Sequence, residues 1–132
     1  MVVSRAMRRT VPSNASELVD WLTGLFPAFR GHLAASPFIG PHEELTPHRA
    51  CMVFTHFYRD GVPDYGAPAV AELFGGIESI IAADRTGYLP VGNAVCTCFL
   101  ENIGGDDAGE LSRPHMGRYT LEFFDGWHGR RA

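Results

Sequence analysis

The segment from Tyr88 to Gly105 limits what this sequence can fold into more than any other part of it. Its residues are apolar around nearly the whole circumference of a helical projection, apart from one narrow line formed by Asn93, Thr97 and Glu101. These residues lie four positions apart, so they share one side of an α-helix. A helix that is apolar on its other sides belongs inside a protein, where neighbouring helices cover it. The segment therefore predicts an all-α domain with a central helix over about 90–103.

The rest of the chain carries apolar residues at helical spacing and predicts a compact single-domain bundle of about five helices. Asn14 followed by Glu17 is a capping-box pattern, and Thr46 followed by Pro47 is a typical helix start. The predicted helices run from Asn14 to about Phe26, from Thr46 to Gly61, from about Pro68 to Asp84, over about 90–103, and from Ser112 or Arg113 to about His128.

Two further patterns bear on how these helices pack. The final helix is expected to bury one apolar side, formed by Met116, Tyr119, Phe123, Phe124 and Trp127. Residues 77–80 and 100–103 are similar to each other, which makes a helical-repeat arrangement an alternative to a simple bundle.

Residues 1–12 are predicted to be a disordered arm, and residues 13–132 a single helical domain. The length of 132 residues and the hydrophobic content of 45% suit one domain with a sizeable core. Between the first two predicted helices, Gly31 to Leu45 form a connection broken by Pro and Gly, with apolar anchors at Phe38 and Ile39. A long connection in a helical domain is often a lid or a binding loop.

The three cysteines, Cys51, Cys96 and Cys98, are an odd number and lie within apolar helical patterns. This placement predicts reduced, buried thiols rather than a disulfide framework, and so favours the reducing cytoplasm. The sequence has neither a signal-peptide pattern nor the run of about 18 apolar residues that a membrane-spanning helix needs. We therefore expect a cytoplasmic protein that does not act at a membrane.

Charge is distributed unevenly along the chain. All eleven basic residues are Arg, and five of these lie near the two ends. From Asp60 to Glu110 the sequence holds nine acidic residues but one basic residue, Arg85, which gives this segment a net charge of −8. Such a segment repels nucleic acid and attracts a basic partner. A solvated acidic face without a dedicated partner is the alternative interpretation.

The histidines do not form a metal-binding pattern. His48 and His56 lie near the polar side of the second predicted helix, but they are eight residues apart. Helical zinc sites place their ligands about three or four residues apart, so we predict no metal and no other cofactor. Cys96 and Cys98 point to different faces of a helix and are expected to be small core residues.

Catalysis receives little support from the sequence, and we predict that the protein is not an enzyme. No Ser or Cys nucleophile lies in a recognised local motif with a histidine partner. Glu78 and Glu101 are candidates for a buried carboxyl pair with a raised pKa, which could act as acid and base. The preferred interpretation is structural: a satisfied polar line, or bonds to neighbouring helix ends, made by Glu78, Asn93, Thr97 and Glu101.

Two stretches of this chain resemble one protein family. The first reads ELFGGIE at residues 72–78, and the second reads VGNAVCTCFLEN at residues 91–102. Together they are similar to small all-helical bacterial domains that are encoded beside polymorphic toxins. The resemblance implies a helical fold and the function of an immunity protein, which binds a cognate toxin domain and blocks it. It also places Glu78, Asn93 and Glu101 at polar positions of that family, without a catalytic role.

Charge and resemblance agree on the kind of partner. We expect an acidic immunity protein, a monomer or a weak dimer, that binds a cognate toxin of basic character, such as a nuclease. The residues predicted to contact this partner lie in connections or at helix ends: Asp60, Asp64, Tyr65, Asp84, Tyr88, Asp106 and Asp107. Two alternatives stay open. One is a small metal- or carboxylate-dependent enzyme built around His48, His56 and Glu101, and the other is a regulatory module that binds a small apolar ligand in a cavity between the third and fourth predicted helices.

Overall fold

The structure is a computed structural model that describes residues 11–37, 39, 44–104 and 107–129, and these residues confirm the all-α fold class. They form seven α-helices: α1 (Ala15–Leu25), α2 (Phe29–Ala34), α3 (Pro47–Gly61), α4 (Ala67–Ala83), α5 (Pro90–Ala94), α6 (Asp107–Ser112) and α7 (Arg118–His128). No β-strand occurs in the described part of the chain. Most of the predicted arm, residues 1–10, lies outside it.

The first helix begins as its capping residues predict. The Asn14 side chain accepts a hydrogen bond from the backbone N–H of Glu17 at 2.9 Å, while the Glu17 carboxylate accepts from the backbone N–H of Ser13. In a capping box the Glu17 carboxylate would accept from the backbone N–H of Asn14, so here this second bond is made one residue earlier. Helix α1 ends at Leu25, and Phe26 leaves the helix before Pro27, as predicted.

Helix α2 corrects the prediction of one long connection from Gly31 to Leu45. It is a short helix that begins at Phe29, whose ring is fully buried and lies 5.1 Å from Phe54 and 5.5 Å from Phe57 between centroids. Tertiary packing of this one ring outweighs the low helix propensity of Gly31. The predicted anchor Phe38 lies outside the described residues, whereas Ile39 packs against the core.

Helices α3 and α4 follow their sequence signals closely. The Thr46 hydroxyl accepts from the backbone N–H of Arg49 at 3.1 Å, Pro47 is the first helical residue, and α3 ends at Gly61 as predicted. A 3-10 turn at Val62–Asp64 then leads into α4. These two helices contribute three rings to an aromatic cluster at the centre of the core, namely Phe54, Tyr58 and Phe74. The other rings of the cluster are those of Phe26, Phe29 and Phe99.

The predicted central helix is enclosed by its neighbours. Val91, Ala94, Val95, Phe99, Leu100 and Ile103 are each at most 3% exposed. The segment is not one continuous α-helix, however. Helix α5 ends at Ala94 and is followed by a π-helical turn, Val95–Phe99, and a 3-10 turn, Leu100–Asn102.

Side chains supply hydrogen bonds to the π-helical turn. A π turn shifts the helical hydrogen-bond ladder and leaves carbonyl groups that need other donors. The Thr55 hydroxyl, reaching from α3, lies 2.6 Å from the Cys98 carbonyl oxygen, and the Asn102 side-chain amide donates to the carbonyls of Thr97 and Cys98 at 3.2 and 3.3 Å. These side chains stabilise the altered ladder and break the regular spacing of Asn93, Thr97 and Glu101 on which the prediction of a single polar line depended.

The prediction of one final helix beginning at Ser112 or Arg113 is wrong at its start. Helix α6 (Asp107–Ser112) comes first, a 3-10 turn with Pro114 at its centre follows, and α7 begins at Arg118. Proline lacks a backbone N–H and so interrupts a continuous helix. Met116 and Phe124 are buried as predicted, but Trp127 is 57% exposed, because the last turn of α7 contacts the core through His128 instead. The His128 ring lies 4.6 Å from that of Phe124, and its Nε2 lies 3.0 Å from the Leu100 carbonyl oxygen.

All three cysteines are free thiols, with Cys51 buried and the other two half-buried. Among the described residues, no helix is both long enough and apolar enough to span a membrane.

Candidate functional site

The residues predicted to contact a partner fall into two groups at opposite ends of α4. Asp64 and Tyr65 precede this helix, and Asp84 and Tyr88 follow it. Helix α4 has 17 residues, and at about 1.5 Å per residue it separates the two groups by about 25 Å. Asp106 lies outside the described residues.

The first group forms an acidic end of the protein, defined here as Asp60, Asp64 and Asp107. Helix α6, which begins at Asp107, packs against the turn Val62–Asp64, so the elements that carry these acidic residues are neighbours in the fold although they are distant in sequence. The three carboxylates are exposed. A buried contact fixes this arrangement: the Tyr58 hydroxyl lies 2.7 Å from that of Ser112 and ties α3 to the end of α6.

Tyr65 does not extend from this end as an exposed anchor. Its ring centroid lies 4.8 Å from that of Phe26, and its hydroxyl donates to the Phe57 carbonyl oxygen at 3.2 Å. Partial burial, with a smaller contribution from Asp60 and Asp64, raises the pKa of Tyr65 to about 12. The side chain is used mainly to cover the aromatic cluster, so its role in partner binding stays a prediction with little geometric support.

The second group lies in the connection between α4 and α5, here called the Tyr88 loop (Asp84–Leu89). Two large apolar side chains extend from it into solvent: Tyr88 is 88% exposed and Leu89 is 60% exposed. Gly87 has a φ of 73°, a conformation that glycine adopts without strain. The loop thus presents an exposed aromatic residue at a tight turn.

Asp84 holds the Tyr88 loop in this shape. One carboxylate oxygen accepts from the backbone N–H of Leu89 and the other from the Thr86 hydroxyl, both at 2.9 Å. Desolvation works to raise the pKa of Asp84, but hydrogen bonds from Leu89, Thr86 and the backbone of Gly87 and Tyr88 together outweigh it, so this pKa is lowered. Asp84 therefore serves the loop from within, which its predicted role as a direct contact did not foresee.

Asn93 supports the same loop from the central segment. Its side-chain amide donates to the Gly87 carbonyl oxygen at 3.3 Å, and its Oδ1 lies 2.7 Å from Nε2 of His48. Since the amide oxygen can only accept, the His48 ring donates through Nε2. The half-buried His48 is thus bonded to the loop support rather than placed as a surface metal ligand.

Of the remaining members of the predicted polar line, Thr97 stays bonded to Asn93, whereas Glu78 bonds elsewhere. The Thr97 hydroxyl donates to the Asn93 carbonyl oxygen at 2.9 Å, and Glu101 lies half-buried further along. Glu78 bonds instead to the first turn of α7, through the backbone N–H groups of Tyr119 and Thr120 and the Thr120 hydroxyl. Partial burial works to raise the pKa of Glu78, yet these hydrogen bonds lower it overall. The alternative that gave Glu78 a raised pKa is therefore wrong, whereas the preferred interpretation, a bond to a neighbouring helix end, describes Glu78.

A cleft of about 290 Å³ lies under the Tyr88 loop, between α4, the central segment and α7. It is here called the Arg85 cleft, and its walls include Ile81, Arg85, Gly87, Asn93, Cys96, Thr97, Tyr119, Glu122 and Phe123. The Arg85 guanidinium lies over the Tyr119 ring, 3.9 Å from its centroid, and 3.3 Å from a Glu122 carboxylate oxygen. The sequence does not predict this cluster, because Arg85 and Glu122 are 37 residues apart. The one sequence signal for it is that Arg85 is the single basic residue between Asp60 and Glu110.

No three His, Cys, Asp or Glu side chains among the described residues converge in a way that could hold a metal ion. His56, the second histidine of the enzyme alternative, lies exposed on α3, eight residues from the half-buried His48. The two rings therefore have different surroundings.

No family model, curated protein or solved structure matches this chain. The resemblance to immunity proteins carried by residues 72–78 and 91–102 therefore stays a prediction from the sequence. The functional inferences depend on the Tyr88 loop, the acidic end and the Arg85 cleft.

Proposed function

We propose that this chain is an immunity protein, which binds a cognate bacterial toxin domain of basic character, such as a nuclease, and neutralises it. The binding surface comprises the Tyr88 loop and the acidic end. The protein acts in the cytoplasm and by binding alone.

The observation that carries this proposal is an exposed tyrosine on a loop held by internal hydrogen bonds. Tyr88 is 88% exposed, while the loop beneath it is fixed by Asp84 and by Asn93. Large aromatic residues dominate the energy of many protein interfaces. A loop that is already ordered loses little conformational entropy when it binds, so such a residue can contribute more of its contact energy to affinity.

Charge supports the choice of a basic partner. The exposed carboxylates of Asp60, Asp64 and Asp107 share one end of the protein, within a segment that holds nine acidic residues and one arginine. A nuclease surface that holds phosphate groups is positively charged. Opposite charges on the two proteins increase the association rate.

Neutralisation tests this proposal directly. The proposal predicts that a toxin domain is encoded beside this gene; that domain is expressed in a sensitive host, alone and together with this chain, and viable cells are counted. We expect survival with the wild-type chain and loss of protection with a Tyr88→Ala/Leu89→Ser variant. Trp127→Ala, which removes an exposed aromatic residue on α7, is the matched control and should protect fully.

Two results would overturn the proposal. The first is that the wild-type chain gives no protection and does not co-purify with the toxin domain. The second is that deleting the gene harms cells that contain no toxin, because an immunity protein is needed only when its toxin is present.

The ligand-binding alternative is favoured by one observation, the Arg85 cleft. Its position beside the end of α4 and the central segment agrees with the cavity that this alternative requires. Its walls carry a guanidinium, two carboxylates, three hydroxyl groups and an amide beside the apolar side chains, so they suit a charged group better than the small apolar ligand of this alternative.

A further inference from the structure

The Arg85 cleft contains a guanidinium-binding arrangement that this protein fills with its own side chain. Arg85 stacks on the Tyr119 ring with 3.9 Å between its central carbon and the ring centroid, and its Nη2 lies 3.3 Å from the Glu122 carboxylate. An aromatic face next to a carboxylate is the combination that recognises arginine, through cation–π contact and charge together.

The contact between Arg85 and Glu122 is easily exchanged. The two side chains are 51% and 67% exposed, and their single close contact is longer than a charge-assisted hydrogen bond of about 2.8 Å. Exposed pairs of this kind contribute little to stability. A second guanidinium can therefore replace Arg85 without disturbing the fold, while Arg85 turns towards solvent.

Charges around the cleft favour a cation. Among the described residues that line it, Arg85 is the one arginine, whereas Asp84 and Glu122 are both acidic. On the inner wall, burial, and to a smaller extent the charges of Glu101 and Asp84, raise the pKa of the Cys96 thiol to about 11. Arg118 lies 5.2 Å from the Tyr119 ring centroid, and its charge also contributes to lowering the pKa of Glu78.

We propose that Tyr119 and Glu122 form a receptor for an arginine side chain of the basic partner, and that Arg85 occupies this receptor until the partner displaces it. The inference rests on the proposed function and deepens it, because it assigns a chemical identity to one contact of the toxin. The cleft opens beside the Tyr88 loop, and its volume of about 290 Å³ leaves space next to Arg85 for an incoming side chain.

A blocked peptide, acetyl-Gly-Arg-Gly-amide, tests the receptor without any toxin. The matched probe carries citrulline, which has the same shape as arginine but no charge. We titrate each into the ¹⁵N-labelled full chain and follow backbone amide shifts. We expect the arginine peptide to shift residues of the Tyr88 loop and of the first half of α7, and the citrulline peptide to bind at least about fivefold more weakly.

Three variants separate the receptor from general surface charge. Arg85→Ala removes the internal competitor and should tighten arginine-peptide binding roughly fivefold, while Glu122→Gln should weaken it by a similar factor. Glu72→Gln removes a carboxylate from an exposed position on α4 and should leave binding unchanged. Loss of affinity in Arg85→Ala would contradict the inference, because it would make Arg85 part of the binding site rather than its occupant.

Other outcomes are equally decisive. Equal binding of the two peptides, or shifts confined to residues outside the cleft, would overturn the receptor. Shifts in the cleft with inorganic phosphate and none with the arginine peptide would instead assign it to an anion. If the arginine peptide binds but the chain fails to neutralise the toxin, the proposed function is wrong and the receptor stands. If the chain protects cells but does not bind the peptide, the receptor is wrong and the proposed function stands.

Discussion

Glu78 and Thr120 meet through a single oxygen atom: Oε1 of Glu78 accepts from the backbone N–H of Thr120 at 2.9 Å and from its hydroxyl at 2.8 Å. The second oxygen accepts from the backbone N–H of Tyr119 at 3.0 Å. These N–H groups belong to the first turn of α7, where no helical carbonyl is available. Gly117 precedes the helix and has no side chain to cap it, and a Cβ at that position would collide with the Glu78 carboxylate. A carboxylate from α4 thus caps α7 across the core.

Substitution of Glu78 tests this cap. Glu78→Gln keeps the shape of the side chain but removes its charge and one acceptor oxygen, so one of the two N–H groups of α7 loses its acceptor and the other bonds to an uncharged oxygen. We expect the free energy of unfolding to fall by about 1–2 kcal/mol at pH 7. Urea denaturation followed by circular dichroism measures the difference. Glu72→Gln, an exposed change on the same helix, should cost much less, and equal losses in both variants would contradict the cap.

The same contact makes stability depend on pH. The pKa of Glu78 is lowered in the folded state relative to its ordinary value of 4.5, so folding favours the charged form. Its contribution is fully present above that ordinary pKa and is lost as the pH falls through the folded value. We expect the difference in unfolding free energy between wild type and Glu78→Gln to shrink between pH 6 and about pH 3. A constant difference over this range would show that the charge is not involved.

Gly76 is predicted to be essential for packing, whereas Gly24 is not. A Cβ at Gly76 would overlap the Trp21 indole, but one at Gly24 would meet no atom within 4 Å. Both residues lie inside helices. Gly76→Ala should therefore destabilise by about 1–3 kcal/mol through displacement of Trp21, whereas Gly24→Ala should stabilise by about 0.5–1 kcal/mol. Thermal unfolding and tryptophan fluorescence provide the measurements, and two changes of the same sign would contradict this assignment.

The hydroxyl pair of Tyr58 and Ser112 is predicted to hold the acidic end in place. Ser112 donates to the Ala108 carbonyl oxygen at 2.5 Å, so the fully buried Tyr58 must donate to Ser112 at 2.7 Å. Tyr58→Phe should lower the free energy of unfolding by about 1 kcal/mol. Ser112→Ala leaves the buried Tyr58 hydroxyl without its acceptor and should lower the free energy of unfolding by about 1–3 kcal/mol. In a double-mutant cycle the two losses should not add, and strict additivity would mean that the hydroxyl groups do not interact.

Helix ends set by neighbouring residues could be predicted from the sequence, and helices set by distant contacts could not. Asn14, Thr46 and Pro47 act on groups within four residues, so their effect is visible in any short stretch of sequence. Helix α2 depends on the burial of Phe29 against α3, and the π turn depends on Thr55, which is 43 residues from Cys98. No local pattern reports such contacts.

The candidate site divides in the same way. The exposure of Tyr88 and of the acidic residues could be predicted because connections between helices lie at the surface, and their role in binding stays a prediction. The internal role of Asp84 was missed, although an Asp at the end of a helix, followed by Thr and Gly, is typical of a side chain that bonds its own turn. The contacts of Arg85 with Tyr119 and Glu122 required the fold, since α7 is distant in sequence from the Tyr88 loop.

The two groups of partner-binding residues should act on different rate constants. Exposed carboxylates attract a basic protein before contact, so Asp60→Lys/Asp64→Lys/Asp107→Lys should slow association with the toxin domain by about tenfold at low salt. This effect should fade at 0.5 M salt because screening shortens the range of charge interactions. Tyr88→Ala should instead speed dissociation about tenfold or more with little change in association. Surface plasmon resonance at two salt concentrations separates the two rate constants. Glu44→Lys, a charge reversal outside the acidic end, is the control for the effect of a single Asp→Lys change. Unchanged association in the triple variant would remove the acidic end from the interface and leave the Tyr88 loop as the contact.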